Sequence, residues 1–260
     1  LQDTPPTEYR LSKAAFVLYY KGSSGYFTEA RDGIPDVPHY LEHYAEKMKQ
    51  GDVLHEGTHP PGLPLFYRAL ILLCQNVPGL QSALLKTQPA SFQEATEIIA
   101  NLTAASGNPL TDLDSAVLWL ATLITVVLSA LTVFPLFLLS REFASREVSW
   151  QVATFWPLIP AALIFQPKSD ALYSIMAILF LYLWVVAWRR NSKPLYLLAG
   201  FVLWIGFFLT LAFLPVALCA VFYSLFEVWQ LRSDKNLFRP AWKQFFFAAV
   251  FGLSGLVLPT

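Results

Sequence analysis

The chain has 260 residues, of which 55% are hydrophobic and only 14% are charged, whereas an ordinary soluble domain carries about a quarter charged residues. Its 18 Lys and Arg residues balance its 18 Asp and Glu residues, so the net charge gives no sign of a nucleic-acid partner. This composition excludes a typical soluble globular domain. It predicts an all-α protein, a polytopic bundle of transmembrane helices.

The first part of the chain, residues 1–114, has mixed character. Residues 39–50 carry apolar and aromatic side chains at helical spacing among charges, which predicts an amphipathic helix at the membrane surface. Residues 63–74 are strongly apolar but too short to span a bilayer, which predicts a re-entrant or interfacial helix. A weaker helix is expected near 91–104, between turns marked by Pro and Gly.

The second part, residues 115–260, contains apolar runs long enough to cross a hydrocarbon core of about 30 Å. The long apolar block 195–231 is divided near Leu211 because it is too long for one crossing. The six predicted spans are 115–139, 148–165, 171–188, 195–211, 212–231 and 244–260.

Basic residues concentrate in three short connections, at 140–147, 189–194 and 232–243. Lys and Arg are enriched in cytoplasmic loops, so these connections are predicted inside and residues 1–114 outside. The chain begins at Leu1 without Met and stops directly after an apolar run, so we expect it to be truncated at both ends.

One short string, His55 to His59, fits the zinc-protease pattern H-E-x-x-H. That pattern needs a helix to bring its two imidazoles onto one face. Gly57, Pro60 and Pro61 disfavour a helix here, so a membrane metalloprotease is the less favoured interpretation.

The same region carries several motifs in a characteristic order: an acidic residue near a Tyr, a Met-terminated amphipathic segment, a Gly-Asp pair and a His-Pro-Pro-Gly turn. They are followed by Ser140-Arg141-Glu142-Phe143 at the end of the first span and by Lys168-Ser169-Asp170 at an outer turn. The outer-loop motifs stand at Asp36-Val37-Pro38-His39-Tyr40, Ala45 to Asp52 and His59-Pro60-Pro61-Gly62. In this order the chain resembles the GT-C glycosyltransferases, in particular the polyprenyl- or dolichyl-phosphate-sugar-dependent group of protein O-mannosyltransferases and aminoarabinose transferases.

This resemblance implies an enzyme that transfers a sugar from a polyprenyl- or dolichyl-phosphate donor to a lipid, glycan or protein acceptor. It implies a multi-pass protein of the bacterial cytoplasmic membrane with its site on the periplasmic face, or of the endoplasmic reticulum membrane in a eukaryote. The chain departs from the family pattern at Gly62, where Leu is usual, and at Asp36-Val37, where an acidic pair is expected.

The reaction needs a carboxylate to take the acceptor proton and cations to meet the departing phosphate. A partly desolvated Asp36 near the bilayer surface is the first candidate for the general base, and Asp32 is the competing one. The candidates for binding the substrate and its phosphate are His59, Arg68, Lys168, Asp170 and Arg31.

No metal ligand is assigned, although a divalent metal ion stays open as a cofactor. Asp112-Leu113-Asp114 has a D-x-D spacing used for metal binding, but carboxylates at the start of a span are also expected as helix caps. A transporter or other non-enzymatic membrane protein is the alternative from another class. Against it, the spans carry almost no ionisable residues, whereas transport pathways usually place charges at the membrane midplane.

Overall fold

The computed structural model of the chain describes residues 10–49, 59–105, 107–164, 166 and 168–257. These residues form helices and turns, with no β-strand among them, so the predicted all-α class is confirmed. The α-helices are α1 (Lys13–Tyr19), α2 (Tyr26–Thr28), α3 (Val37–Glu42), α4 (Tyr44–Met48), α5 (Gly62–Asn76), α6 (Leu80–Thr87), α7 (Ala90–Ala104), α8 (Asp112–Leu131), α9 (Val133–Arg141), α10 (Arg146–Thr154), α11 (Pro160–Ile164), α12 (Tyr173–Arg190), α13 (Lys193–Leu209), α14 (Phe213–Gln230) and α15 (Lys235–Val257). A π-helical turn follows α2 at Glu29–Gly33, and 3-10 turns lie at Trp156–Leu158, Ser169–Leu172 and Leu231–Ser233.

Three helical stretches in the described part of the chain are long and apolar enough to cross a membrane. They are Asp112–Arg141, Ser169–Arg190 and Phe213–Ser233. Helices α5 and α6 meet at an angle of 108°, and they would make a fourth crossing if they form one broken span. The same angle fits a re-entrant loop, as predicted for 63–74.

The predicted spans 115–139 and 171–188 lie inside the first two stretches, and 212–231 matches the third apart from its first residue. The run 195–211 forms the shorter apolar helix α13, and the predicted break near Leu211 is confirmed because α13 ends at Leu209 and α14 begins at Phe213. The run 244–260 falls in α15 as far as Val257.

The predicted single span 148–165 is wrong. Helix α10 ends at Thr154, a 3-10 turn follows, and α11 begins only at Pro160. Pro157 and Pro160 explain the break, because each proline lacks the N–H that a continuous helix needs and its ring clashes with the preceding turn. The predicted amphipathic helix 39–50 is likewise divided, into α3 and α4 at His43.

The chain divides into two compact units, and the first comprises Leu1–Leu128 with Pro160–Ala171. Its core forms where α5 packs against α2 and the π-helical turn, with the buried rings of Phe27 and Tyr67 in edge-to-face contact at 6.2 Å. The first part of α8 packs against α7 through the rings of Trp119 and Phe92, whose centroids are 5.0 Å apart. These contacts hold the segments that carry the predicted site residues.

The second unit comprises Ser129–Ile159 with Leu172–Thr260 and contains α9, α10 and α12 to α15. Helices α13 and α15 pack closely at Gly200, Gly252 and Gly255. A Cβ on Gly200 would lie 2.1 Å from the carbonyl oxygen of Gly252, so only glycine fits there. Small residues at such crossings are typical of helix pairs in membranes.

Helix α14 presents an outward apolar stripe at helical spacing, with Leu218, Phe222, Phe226 and Trp229 each more than half exposed. A stripe of this size is unusual on a soluble monomer and fits a lipid-facing surface. The structure therefore supports membrane association through its candidate spanning helices.

Two of the three basic connections meet within the second unit. The guanidinium of Arg189 lies 4.8 Å from the ring centroid of Phe143 and 3.2 Å from the carboxylate of Glu142. This neighbourhood is expected if the connections 140–147 and 189–194 lie on the same side of the membrane.

Candidate functional site

The π-helical turn Glu29–Gly33 organises the ionisable groups of the first unit, and such turns are frequent at functional sites. The buried carboxylate of Glu29 folds over Gly33, where a Cβ would lie 2.4 Å from Glu29 Oε1. The same carboxylate forms an ion pair with Lys47 of α4. The turn is thereby tied to the helix that follows it.

Arg31 lies at the centre of this turn and contacts two carboxylates. Its Nε and Nη2 donate to the two carboxylate oxygens of Asp32 at 2.9 and 3.0 Å, and its Nη1 donates to Asp114 at 3.3 Å. Burial alone would lower the pKa of Arg31, but the hydrogen bond to Asp32 and the attraction of Asp114 and Asp32 outweigh it and raise that pKa. Arg31 is therefore a permanent cation whose charge is already compensated.

A cavity of about 470 Å³ opens beside this ion-pair cluster, and we call it the Arg31 cavity. It brings together the two predicted residues Arg31 and Asp32 with aromatic and basic side chains of the preceding segment. Its lining consists of Tyr19, Tyr20, Lys21, Thr28, Glu29, Arg31, Asp32 and Gly33.

A second, smaller cavity of about 170 Å³ is lined from three distant parts of the sequence, and we call it the His59 cavity. Three predicted residues, His59, Lys168 and Asp170, meet there although more than a hundred positions separate the first from the other two. Its lining consists of Ser23, Ser24, Tyr26, His59, Lys168, Ser169 and Asp170.

The walls of the His59 cavity are fixed by specific contacts. The ring of Tyr26 meets the imidazole of His59 edge-on at 5.9 Å, and Tyr44 donates a hydrogen bond to the His59 carbonyl at 2.6 Å. The hydroxyl of Ser169, another lining residue, lies 3.3 Å from the hydroxyl of Tyr67, whose side chain is only 1% exposed and is therefore fixed in position. None of these contacts involves the side chains of Lys168 or Asp170.

The His-Pro-Pro-Gly string is the turn that leads into α5. Pro61 precedes the first helical residue, Gly62, with φ −71° and ψ −5°, so the fixed ring geometry of proline sets the entry of the chain into the helix. His55 and Glu56, the other half of the H-E-x-x-H string, lie outside the described residues.

The two remaining predicted residues lie outside both cavities. Asp36 is exposed and caps α3, accepting a hydrogen bond from the backbone N–H of His39 at 2.9 Å. The partial desolvation expected for its carboxylate is therefore absent from the folded chain itself. Arg68 is half-buried on α5, and its Nε is buried without a hydrogen-bond partner among the described residues.

The D-x-D string serves the start of α8. The backbone N–H and the hydroxyl of Thr111 donate to Asp114 at 2.9 and 2.8 Å, and the N–H of Asp114 donates back to the Thr111 hydroxyl at 3.2 Å. This reciprocal arrangement is a capping box. Arg31 contacts the same carboxylate oxygen, Oδ2, that accepts from Thr111, and this arrangement supports the expected role of Asp114 as a cap.

A further cavity, of about 220 Å³, lies where α7 meets the start of α8, and Asp112 of the D-x-D string lines it. Gln88 donates to the carbonyl and the hydroxyl of Ser115 at 3.1 and 3.0 Å on its wall. The ionisable residues among its described lining are both acidic, Glu97 and Asp112, so it is unsuited to a phosphate.

Sequence reasoning also missed Ser24, Tyr26 and Lys21 as lining residues of the two main cavities. They belong to no recognisable motif, and only the folding of α2 against α5 brings them to the site. Comparison of the chain with protein-family models, with curated proteins and with solved structures finds no match in any of the three.

Proposed function

We propose that the chain is a membrane glycosyltransferase of GT-C type, which transfers a sugar from a polyprenyl-phosphate donor to a lipid, glycan or protein acceptor at the outer face. The observation that carries the proposal is the His59 cavity, because it gathers a cationic side chain, an imidazole and a carboxylate around hydroxyl groups. These groups are suited to a phosphate ester and a sugar.

The position of the His59 cavity along the chain suits a lipid-linked donor. Ser169 in its wall is the first residue of the candidate span Ser169–Arg190, and His59 comes three residues before the apolar helix α5. The cavity therefore adjoins the starts of two apolar helices. A donor phosphate could sit there while its polyprenyl tail lies among lipid chains.

Within this proposal, Lys168 and His59 bind the donor phosphate, and Arg68 on α5 is a further candidate for the same role. Lys168 is half-buried, and its side chain makes no hydrogen bond or ion pair with the described residues, so its ammonium is available to a ligand. Arg31 is less suited to the phosphate because Asp32 and Asp114 already neutralise it.

The general base in this proposal is Asp36. Its Oδ2 holds the helix cap, while Oδ1 accepts no hydrogen bond from the described residues, so an incoming hydroxyl can reach a free lone pair. Both oxygens of Asp32, in contrast, already accept from Arg31. Asp32 is therefore better suited to holding Arg31 in place than to taking a proton.

The test is turnover of a panel of polyprenyl-phosphate sugars by the purified chain in lipid nanodiscs, read as release of polyprenyl phosphate. Asp36→Asn should lower turnover by at least about a hundredfold, the usual contribution of a general base, with donor binding retained. Because Asn caps a helix about as well as Asp, this variant removes the proton acceptor without removing the cap. Lys168→Gln should instead weaken donor binding.

Asp32→Asn is the matched control. If it is the inactive variant while Asp36→Asn turns over normally, the base is Asp32. If both variants stay active, the base must be sought at Asp170 in the His59 cavity. Absence of turnover with every donor in the panel, by a chain with intact helical structure, would count against a glycosyltransferase and favour a non-enzymatic membrane protein.

A further inference from the structure

Three exposed side chains on the outer surface of α3 form a group that the proposed glycosyl transfer does not use. They are His39, Glu42 and His43, and their ligand atoms all lie within 4.8 Å of one another. The two imidazole rings are 4.2 Å apart between centroids and inclined by 40°. We propose that these three residues form a binding site for a single zinc ion.

The spacing of the three residues explains how they meet. Positions i, i+3 and i+4 of a helix share one face, and α3 supplies that helical turn from Val37 to Glu42 with His43 closing its end. The opposite face of this segment is anchored in a small core, where Tyr40 and Tyr44 pack with Ile34. The three candidate ligands are thus held outward by their own helix.

The orientation of His43 suits a metal ligand. Its Nδ1 lies 3.0 Å from the carbonyl oxygen of His39, and since a carbonyl can only accept, Nδ1–H is the donor in this contact. That tautomer leaves the lone pair of Nε2 free. A ligating histidine usually donates its other ring nitrogen in this way, commonly to a backbone carbonyl.

The ligand set favours zinc. Two imidazole nitrogens and one carboxylate oxygen, with a fourth position left open to water, are typical of an accessible zinc site. Zinc–nitrogen bonds of about 2.0–2.1 Å bring the ligand atoms of one site to within about 3.5 Å of one another, whereas the atoms here lie within 4.8 Å. Rotation of exposed side chains is enough to bring them together, because none of the three is packed into a core.

In the described part of this segment, the Lys47 side chain does not compete for the proposed site. The next basic side chain along the segment, Lys47, forms its ion pair with Glu29 and lies over the ring of Tyr40 at 5.3 Å. Its ammonium is therefore directed to the turn at Glu29 and not to the proposed site. This inference is independent of the proposed glycosyl transfer, since it rests on different side chains.

The experiment is zinc binding by the purified chain in detergent, measured by isothermal titration and by metal analysis after gel filtration. We expect one zinc ion per chain. Cobalt should occupy the same site and give visible absorption bands typical of nitrogen and oxygen ligands. His39→Ala and His43→Ala should each weaken zinc binding by at least about tenfold. Losing a residue that only holds a metal ligand in place already lowers metal affinity by about that factor, and losing a ligand itself should cost no less.

The matched control is His59→Ala, which removes a histidine outside the proposed site and inside the H-E-x-x-H string. Its zinc affinity should equal that of the parent chain. Circular dichroism checks that each variant keeps its helices, and Glu42→Gln, which removes a single charge, serves if an alanine variant unfolds. Failure of the parent chain to bind zinc would overturn the inference. Loss of zinc binding only in His59→Ala would overturn it as well, and would place the metal at the H-E-x-x-H string.

Discussion

Gly200→Ala tests how the second unit is held together. The added Cβ would lie 2.1 Å from the carbonyl oxygen of Gly252 and 3.0 Å from the Cα of Gly255. Both obstructing atoms are main-chain atoms, which cannot rotate away as a side chain could. Helices α13 and α15 must therefore move apart by about 1 Å, and close packing is lost along their contact.

Overpacking of this kind typically costs about 1–3 kcal/mol, and the main-chain obstruction puts Gly200→Ala at the upper end of that range. The higher helix propensity of alanine offsets up to about 1 kcal/mol of this destabilisation. We therefore expect a net loss of about 2 kcal/mol in the free energy of unfolding. For a chain of this size that corresponds to a fall of roughly 4–8 °C in Tm.

The assay is thermal unfolding in detergent, followed by circular dichroism. Ser254→Ala is the matched control, because it changes α15 beside Gly255 and removes only a hydrogen bond to the Val250 carbonyl. Gly255→Ala should destabilise like Gly200→Ala, since its Cβ would lie 2.2 Å from the Leu197 carbonyl. The double variant should lose less than the sum, because the helices have already separated. Equal Tm values for Gly200→Ala and Ser254→Ala would refute the close approach.

Two further predictions concern the first unit and the topology. Asp114→Asn should lower the free energy of unfolding by about 2 kcal/mol, because it weakens both the capping box and the largely buried ion pair with Arg31. Asp112 is exposed, so Asp112→Asn should change the free energy of unfolding by less than about 0.5 kcal/mol in the same thermal unfolding assay. The topology can be tested by cysteine labelling in a chain whose exposed Cys219 is replaced by Ser. An impermeant thiol reagent added to intact cells should label Lys49→Cys and leave Ser192→Cys unlabelled. The reverse result would invert the predicted orientation.

Local patterns in the sequence predicted the elements that depend on local chemistry. The apolar run at 63–74 forms α5, the weak periodicity near 91–104 forms α7, and the division near Leu211 separates α13 from α14. The two prolines of the His-Pro-Pro-Gly string also place the start of α5 correctly, because ring geometry acts over one or two residues.

The errors arose where one or two residues interrupt a pattern that looks continuous in the sequence. At His43 the backbone leaves the helical region, with φ −101° and ψ 7°, while its N–H still bonds to the His39 carbonyl, so the amphipathic run becomes two short helices. The run 148–165 is largely apolar, but apolarity does not supply the backbone donors that Pro157 and Pro160 lack. Composition predicted where apolar surface lies, and backbone chemistry decided how it is divided.

The candidate site depended on contacts that no local pattern contains. Arg31 pairs with Asp114 across 83 positions, which turned a predicted phosphate ligand into part of an ion-pair cluster. The proximity of His59 to Lys168 and Asp170 likewise results from the folding of the first unit. Helical spacing of His39, Glu42 and His43 was the one local signal available for the proposed zinc site, and it is visible in the sequence once α3 is known.

The residues that line the His59 cavity are far apart in the sequence, which limits how the protein can be divided into fragments that still bind a donor. A soluble fragment made of residues 1–114 would keep His59, Tyr26 and Ser24 but would lack Lys168, Ser169 and Asp170. Such a fragment would have lost the ammonium and the carboxylate of the cavity together. Donor binding is therefore expected to require a chain that continues through the third lining segment at 168–170, so that residues 1–114 and the beginning of a candidate span must be expressed together.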